Sequence, residues 1–268
     1  MTSARLRSGA IAHEGSRVRP GSACALLLLA ATLTFASNAA AIPTVTLKVK
    51  PLPIPGFAGT GNILGAGVQV ETQVTIGGQE YDGSPSPLTG INIYAPVGLE
   101  VTSTGFATCA RSVLENIGPS GCPVRSSAGP QGVGNGVVSF GSERVPEEVS
   151  IQGFFAAGGG LTFFVKGSTP SNFEVLEPGH WVMTSAPPFG AELLVEVPLI
   201  ETLPGADDAS VTSFKVRLGA AYRKGRRTVS YLTTPKRCPR GGFPTKMELK
   251  FLSGETVTVA AAVPCPAR

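Results

Sequence analysis

The sequence is poor in charged residues, in aromatic side chains and in long apolar runs, and these shortages exclude several classes of protein. Charged residues make up 15% of the 268 residues, against roughly 25% in an ordinary globular chain, which argues against coiled coils and long charged helices. No apolar run reaches the roughly 18–20 residues of a membrane-spanning helix. A formal net charge of +4 over this length gives no reason to expect nucleic-acid binding. Because 42% of the residues are hydrophobic, a disordered chain is excluded as well.

Motifs of the common cofactor-dependent and nucleophilic enzymes are also missing. His180 is the only histidine after residue 41, whereas a histidine-based zinc site needs several at the right spacing. We interpret it as a partly buried structural residue. The sequence contains no G-x-S-x-G elbow and no P-loop. The glycines of 59–65 miss the dinucleotide-binding spacing by one residue, and those of 132–136 are typical of a turn. The sequence therefore predicts no metal and no cofactor.

Glycoside hydrolysis stays open because it needs only two well-placed carboxylates. The candidate pairs are Glu174 with Glu177 and Glu147 with Glu148. One tryptophan and four tyrosines offer few aromatic platforms for a sugar chain. Asp207 and Asp208 could supply oxygen ligands to calcium, but the calcium-loop pattern is missing. We interpret them as a solvated acidic turn.

The first 41 residues have the pattern of a secretory signal peptide. Four arginines and one acidic residue come before an apolar run at 23–36, and a tract of small residues ends at Ala41. This order is the signature of an exported chain. We predict that residues 1–41 are cleaved, that residues 42–268 are secreted or held at the cell surface, and that no membrane span remains. Cleavage after Ala39 and a retained anchor are the alternatives, although the apolar run is short for an anchor.

The cysteines agree with export. Four of them follow residue 41, and an even number in an exported chain favours disulfides. The tight C-x2-4-C pair of a metal site is missing. Of the three possible connectivities we favour Cys109–Cys122 and Cys238–Cys265, because each pair brackets one local segment. Closing a loop of this size stabilises a protein by roughly 3 kcal/mol in the chain-entropy model.

Apolar and polar residues alternate along much of the chain, which is typical of strands with one buried and one solvated face. The pattern is clear in six segments: 44–50, 68–76, 192–197, 214–218, 246–251 and 256–259. The 34 glycines and 23 prolines suit short strands joined by turns. We predict an all-β fold of antiparallel sheets, as a sandwich or barrel, in one large domain or two stacked lobes.

Two central strands are apolar on both faces. They cover 151–156 and 161–165, and each contains a pair of phenylalanines, at 154–155 and at 163–164. The glycines between them predict a tight reversal. Three further local features are predicted: hairpin tips at 223–226 and 253–254, a short helix at 110–116, and an extended connection at 51–55, where prolines lack the ladder donor.

Charge is distributed unevenly along the chain. Residues 42–214 include 6 basic and 15 acidic residues, whereas residues 215–268 include 12 basic and 2 acidic ones. Two separate domains would make the molecule bipolar, whereas a single sandwich would place basic strands beside acidic ones. We favour the single sandwich and expect one such contact between the following residues: Glu192 and Glu196 opposite Lys215 and Arg217.

A basic hairpin is the one positive functional feature. The candidate ligand-binding residues are Arg223, Lys224, Arg226 and Arg227 at its tip, Tyr222 and Tyr231 at its ends, and Lys236, Arg237 and Arg240 around Cys238. Such a patch attracts anionic cell-wall polymers, acidic glycans or phospholipid headgroups. The alternative is a solvated edge that discourages strand-to-strand aggregation.

Several turns and cysteines occur together in a known group of proteins. They are Phe106-Ala-Thr-Cys109, Gly121-Cys-Pro-Val, Val197-Pro198 with Leu203-Pro-Gly205, Cys238-Pro-Arg-Gly-Gly-Phe-Pro244 and Pro264-Cys265-Pro. In this pattern, over roughly residues 95–268, the chain resembles a group of uncharacterised secreted β-rich proteins of high-GC Gram-positive bacteria. The resemblance implies an immunoglobulin-like or related β-sandwich. It transfers no functional residues, because no activity is assigned to the group.

These features predict a non-catalytic exported module of the cell envelope or extracellular space, structural or adhesive, that binds anionic surface polymers through the basic hairpin. The competing function is an extracellular carbohydrate-active enzyme with a carboxylate pair. A third possibility is a pocket for an apolar ligand near the four paired phenylalanines, which requires an open cavity there.

Overall fold

The computed structural model describes residues 42–57, 63–140, 143–184, 186–201 and 203–265, so the predicted signal peptide lies outside the described residues. Within these ranges the chain forms fifteen strands, one α-helix and three short 3-10 turns. The strands are β1 (Thr44–Pro53), β2 (Val68–Gly77), β3 (Leu88–Pro96), β4 (Glu100–Val101), β5 (Gly132–Phe140), β6 (Glu143–Phe155), β7 (Leu161–Gly167), β8 (Phe173–Met183), β9 (Phe189–Glu196), β10 (Ser210–Leu218), β11 (Ala221–Lys224), β12 (Arg227–Ser230), β13 (Leu232–Thr233), β14 (Phe243–Phe251) and β15 (Thr256–Val263). The helix, α1, spans Arg111–Asn116.

Eleven of the described strands form one antiparallel sheet. Their order is β1-β2-β10-β5-β6-β7-β8-β9-β3-β14-β15. The first and last strands of this order also approach each other, so the sheet curls round and its two halves pack face to face. The predicted fold class, antiparallel all-β with two disulfides, is confirmed, and the packed layers belong to one continuous sheet.

The main core lies inside the curled sheet. Its fully buried side chains come from strands on both halves, for example Val74 of β2, Leu193 of β9 and Met247 of β14. Full burial of one such side chain contributes about 1.5–3 kcal/mol. All six alternating segments coincide with strands of this sheet, apart from residue 197 just after β9, and most of their apolar positions belong to the core. Period-two alternation was therefore a sufficient signal for these strands.

The paired phenylalanines serve two different clusters. Phe155 and Phe163 point into the main core, whereas Phe154 and Phe164 point outward and join a second cluster with Leu114 of α1. The reversal between β6 and β7 is confirmed, and Gly158 there has a φ of 76°, which favours glycine. These strands are apolar on both faces because α1 and its loop cover the outer face.

Both predicted disulfides are confirmed. Cys109 and Cys122 have Cα atoms 5.2 Å apart and enclose α1. Cys238 and Cys265 have Cα atoms 5.8 Å apart and tie the loop before β14 to the end of β15. The predicted hairpin tips at 223–226 and 253–254 are also confirmed by the β11–β12 and β14–β15 pairs.

Two segments predicted as a turn or a connection belong to strands instead. The glycines of 132–136 lie in β5, where the β10 backbone comes close. A Cβ atom on Gly132 would lie 2.4 Å from the Lys215 carbonyl oxygen, so a side chain is excluded there. Residues 51–53 continue β1, whose outer side has no ladder partner among the described strands and therefore tolerates proline.

The expected contact of Glu192 and Glu196 with Lys215 and Arg217 is wrong. The two glutamates lie on β9, between β8 and β3, whereas the two cations lie on β10, between β2 and β5. Both cations instead bind Glu71 of β2, at 3.6 Å and 2.6 Å respectively. The short connection between β9 and β10 was expected to join neighbouring strands. Instead it crosses to another part of the sheet.

Candidate functional site

The basic hairpin is a separate two-stranded unit. Strands β11 and β12 pair with each other and with no other described strand. The chain reverses at Gly225 and Arg226, and Gly225 has a φ of 62°. In this register Lys224 lies directly opposite Arg227, so two positive charges share one face of the hairpin. Like charges in that position repel each other.

Aromatic contacts hold the base of the hairpin. The Tyr222 hydroxyl donates a hydrogen bond to the Thr104 carbonyl oxygen at 3.2 Å, and the Tyr222 ring meets Phe106 edge-on at 5.0 Å. Tyr231 has no exposed surface, and its hydroxyl accepts a hydrogen bond from Trp181 Nε1 at 2.7 Å. Burial raises the pKa of Tyr231 to about 12. The two tyrosines therefore position the hairpin, and a surface ligand cannot touch Tyr231.

The four cations at the tip are exposed and unneutralised. Arg223, Lys224, Arg226 and Arg227 are all exposed to solvent, and none has an ion-pair partner among the described residues. Elsewhere in the described chain some cations pair with carboxylates, as in the Lys246–Glu248 pair at 2.6 Å, and other exposed cations, such as Lys48 and Arg125, stand singly without an ion pair among the described residues. The tip therefore concentrates positive charge without internal compensation.

Three further candidate cations lie on the loop between β13 and β14. Lys236, Arg237 and Arg240 are exposed, and the Cys238–Cys265 disulfide fixes the loop between them. The loop also packs tightly against the end of β15, since a Cβ atom on Gly242 would lie 2.3 Å from the Val263 carbonyl oxygen. This second basic segment is therefore held in one conformation. We call it the disulfide loop.

The remaining sequence candidates are dispersed. His180 lies on β8 and is exposed, so its predicted partial burial is wrong, because its position on the strand faces away from the core. Asp207 forms an ion pair with Arg144 at 3.1 Å, and the Asp208 backbone N–H donates to the Tyr81 hydroxyl at 3.2 Å. Burial and the neighbouring carboxylates raise the pKa of Asp208. Of the 59–65 glycines, only Gly65 is among the described residues.

Neither predicted carboxylate pair converges. Within each pair one member faces inward and the other outward, because strand positions an odd number of residues apart point to opposite faces. Glu148 and Glu174 are exposed, and Glu174 binds Lys166 at 2.7 Å. Glu147 and Glu177 line one partly open cavity with a volume of about 120 Å³. Glu147 is already engaged, since it accepts backbone hydrogen bonds from residues 168, 169 and 171 at 2.8–3.2 Å.

The inward position of Glu177 escaped sequence reasoning. Its strand, β8, contains Pro178 and Gly179, which interrupt a strand pattern. A usable signal was the even spacing of Phe173, Glu177 and Trp181, which places all three on one face of a strand.

The described residues contain no group of three or more His, Cys, Asp and Glu side chains placed to hold a metal ion. None of the helices in this part of the chain could span a lipid bilayer.

Comparison with known proteins places the chain in no family: no family model, no curated protein and no solved structure matches it. The resemblance to secreted β-rich proteins of high-GC Gram-positive bacteria therefore stays a prediction.

Proposed function

We propose that this protein is a non-catalytic, exported module of the cell envelope or extracellular space that binds anionic surface polymers through the basic hairpin. The observation that carries the proposal is the tip itself, where four exposed cations lack acidic partners among the described residues. Lys224 directly opposite Arg227 destabilises the free hairpin by charge repulsion. A polyanion bound across the tip removes that repulsion.

Other features of the molecule are consistent with a hairpin tip that is held in place and exposed outside the cell. A buried aromatic base holds the hairpin through Tyr222 and Tyr231, so little ordering is needed when a polymer binds. The two disulfides suit an oxidising compartment, since cytosolic thiols are kept reduced. Together with the signal-peptide pattern of residues 1–41, they support secretion or retention at the cell surface.

A carbohydrate-active enzyme has less support. The cavity that Glu147 and Glu177 share has a volume of about 120 Å³, whereas ligand clefts measure about 300–1,000 Å³. The Glu147 carboxylate is occupied by three backbone N–H groups, so it is poorly placed to exchange a proton or attack a sugar.

The proposal is tested by the salt dependence of binding to two labelled polymers, polyphosphate and polygalacturonate, measured by fluorescence anisotropy. The hairpin variant replaces Arg223, Lys224, Arg226 and Arg227 by glutamine. Because each cation that contacts a polyanion releases counterions, the slope of log Kd against log salt concentration should fall by roughly 3 in this variant. The two polymers distinguish phosphate-rich from carboxylate-rich partners.

A matched control removes the same charge elsewhere. It replaces four exposed cations that lie outside the hairpin and the disulfide loop: Lys48, Lys50, Arg125 and Lys250. The control should keep most of the wild-type slope. Equal losses in both variants would show that net charge, and not the hairpin, drives binding, and an absence of binding at low salt would reject the proposal.

A further inference from the structure

A partly open cavity lies between the two halves of the curled sheet. Its volume is about 120 Å³, and strands β2, β5, β6 and β10 line one side while β3, β7, β8 and β9 line the other. Most of its lining is aliphatic or aromatic, and includes Leu88, Ile91, Val149, Phe163, Val195 and Phe214. A dry apolar cavity of about 150 Å³ holds a benzene-sized guest. The cavity therefore has room for one small ring.

One carboxyl group interrupts this apolar lining without a partner. The Glu177 side chain faces the cavity from β8, opposite Phe163 of β7. It has no hydrogen bond and no ion pair within the described residues. The Glu177 side chain is half-buried, and the protein around its carboxyl group removes much of the solvation that an ion would need. Such a group is costly to bury.

A second polar group of the same lining also lacks a partner. Ser210 of β10 is 1% exposed, and its Oγ atom makes no hydrogen bond to the described protein atoms. Buried polar groups in native proteins are nearly always hydrogen-bonded. Because the Ser210 Oγ atom has almost no accessible surface, it cannot reach a guest directly, and Glu177 is the unpartnered polar group that faces the cavity.

We propose that this cavity, which we call the Glu177 cavity, binds a small uncharged molecule with a ring-sized apolar body and one oxygen that accepts a hydrogen bond from Glu177. This site is independent of the basic hairpin.

The chemistry of the lining selects against charged guests. Burial raises the pKa of Glu177 to about 8, so at neutral pH the carboxyl is protonated and donates a hydrogen bond. Among the described residues that line the cavity, the other titratable group is Glu147 of β6, which is engaged with three backbone N–H groups. The strands packed around Glu177 contribute no lysine, arginine or histidine to the described lining. An anionic guest would therefore lack a counter-charge.

Two probes of the same ring size test the proposal. Cyclohexanone offers a carbonyl acceptor, and cyclohexylamine offers a cation. We expect cyclohexanone to bind at about pH 6, in titrations followed by methyl NMR, and to weaken about tenfold by about pH 9.5, because the ionised carboxylate no longer donates. Stronger binding of cyclohexylamine with rising pH, without cyclohexanone binding, would overturn the proposed ligand class.

Variants at one position identify the role of Glu177. E177Q keeps a neutral donor and should bind cyclohexanone equally at both pH values. E177L should lose about tenfold in affinity at about pH 6, the size of one lost hydrogen bond, while still binding fluorobenzene, which shows that the cavity persists. The control E174Q changes an outward-facing residue of the same strand and should behave like the wild type.

Two results reject the site. One is that neither cyclohexanone nor fluorobenzene perturbs the methyl signals of residues such as Ile91 and Val195 at about pH 6, which would mean that the cavity holds water or nothing. The other is that E177L binds cyclohexanone as tightly as the wild type, which would mean that Glu177 recognises no guest.

Discussion

Two inward-facing glutamates of this protein show how differently one interior can treat a carboxyl group. Glu147 is 2% exposed and accepts three backbone hydrogen bonds from the turn after β7. Glu177 lines the same cavity without any such donor. The first arrangement stabilises a turn. The second has no structural benefit, which is the reason for assigning Glu177 to a ligand.

The stability of the protein should depend on pH through Glu177. An unfolded glutamate has a pKa near 4.5, and burial raises that of Glu177 to about 8, so the folded state holds the proton more tightly. Its contribution to stability is complete below about pH 4.5 and is lost as pH rises to about 8. The loss is on the order of 1.4 kcal/mol per pH unit in this window.

Urea unfolding of the wild type and of E177Q across about pH 5 to 9 measures this effect. The free energy of unfolding of the wild type should fall relative to that of E177Q up to about pH 8, and the difference should then stay constant. E174Q serves as the control, since Glu174 is exposed and paired with Lys166. Parallel pH profiles for wild type and E177Q would contradict the prediction.

At the scale of elements, the Cys109–Cys122 disulfide holds helix α1 and its loop against the outer face of the sheet. It encloses α1, whose Leu114 packs with Phe154 of β6 and Phe164 of β7. A helix of six residues has little stability of its own. Its position therefore depends on the disulfide and on this small apolar cluster.

Removal of each disulfide should destabilise a different part of the fold. C109A/C122A should cost about 3 kcal/mol and should release the amide protection of residues 103–126 in hydrogen exchange. C238A/C265A should cost a similar amount, but the loss of protection should fall on the disulfide loop before β14. Unchanged amide protection of residues 103–126 in C109A/C122A would show that the apolar cluster alone holds helix α1 and its loop on the sheet.

Local sequence patterns identified the strands that alternate and the two that are apolar on both faces, but they missed strand β8. Strands such as β2 and β14 alternate cleanly, and their hairpin and turn residues mark the ends. Strand β8 was missed because Pro178 and Gly179 interrupt it and because Glu177 occupies an inward position. The cavity could not be predicted from the sequence either, because it is formed by strands that are far apart in the chain and whose order in the sheet local patterns do not give.

At the scale of the whole molecule, strand order decides which charges remain free. The basic C-terminal region is partly neutralised, because Lys215 and Arg217 of β10 lie beside Glu71 of β2. The cations of the hairpin tip and the disulfide loop are exposed and have no such acidic neighbours in the described chain. Charge counts along the sequence indicated the excess of basic residues in the C-terminal region. Only the pairing of strands that are distant in the chain shows which of these residues keep an unpaired charge.

Export links the predicted signal peptide to the paired cysteines, and one experiment tests both. Protein recovered from the medium or envelope of an expressing bacterium should begin at Ile42. Denatured without reductant, it should take up no iodoacetamide, and after reduction it should gain four adducts, at Cys109, Cys122, Cys238 and Cys265. Intact mass spectrometry measures the start point and the thiol count together.

A control expressed in the cytosol without residues 1–41 should show free thiols, because that compartment reduces disulfides. Exported protein that keeps residues 1–41, or that takes up four adducts without reductant, would contradict the proposed export to an oxidising compartment. The proposed binding of surface polymers depends on that export.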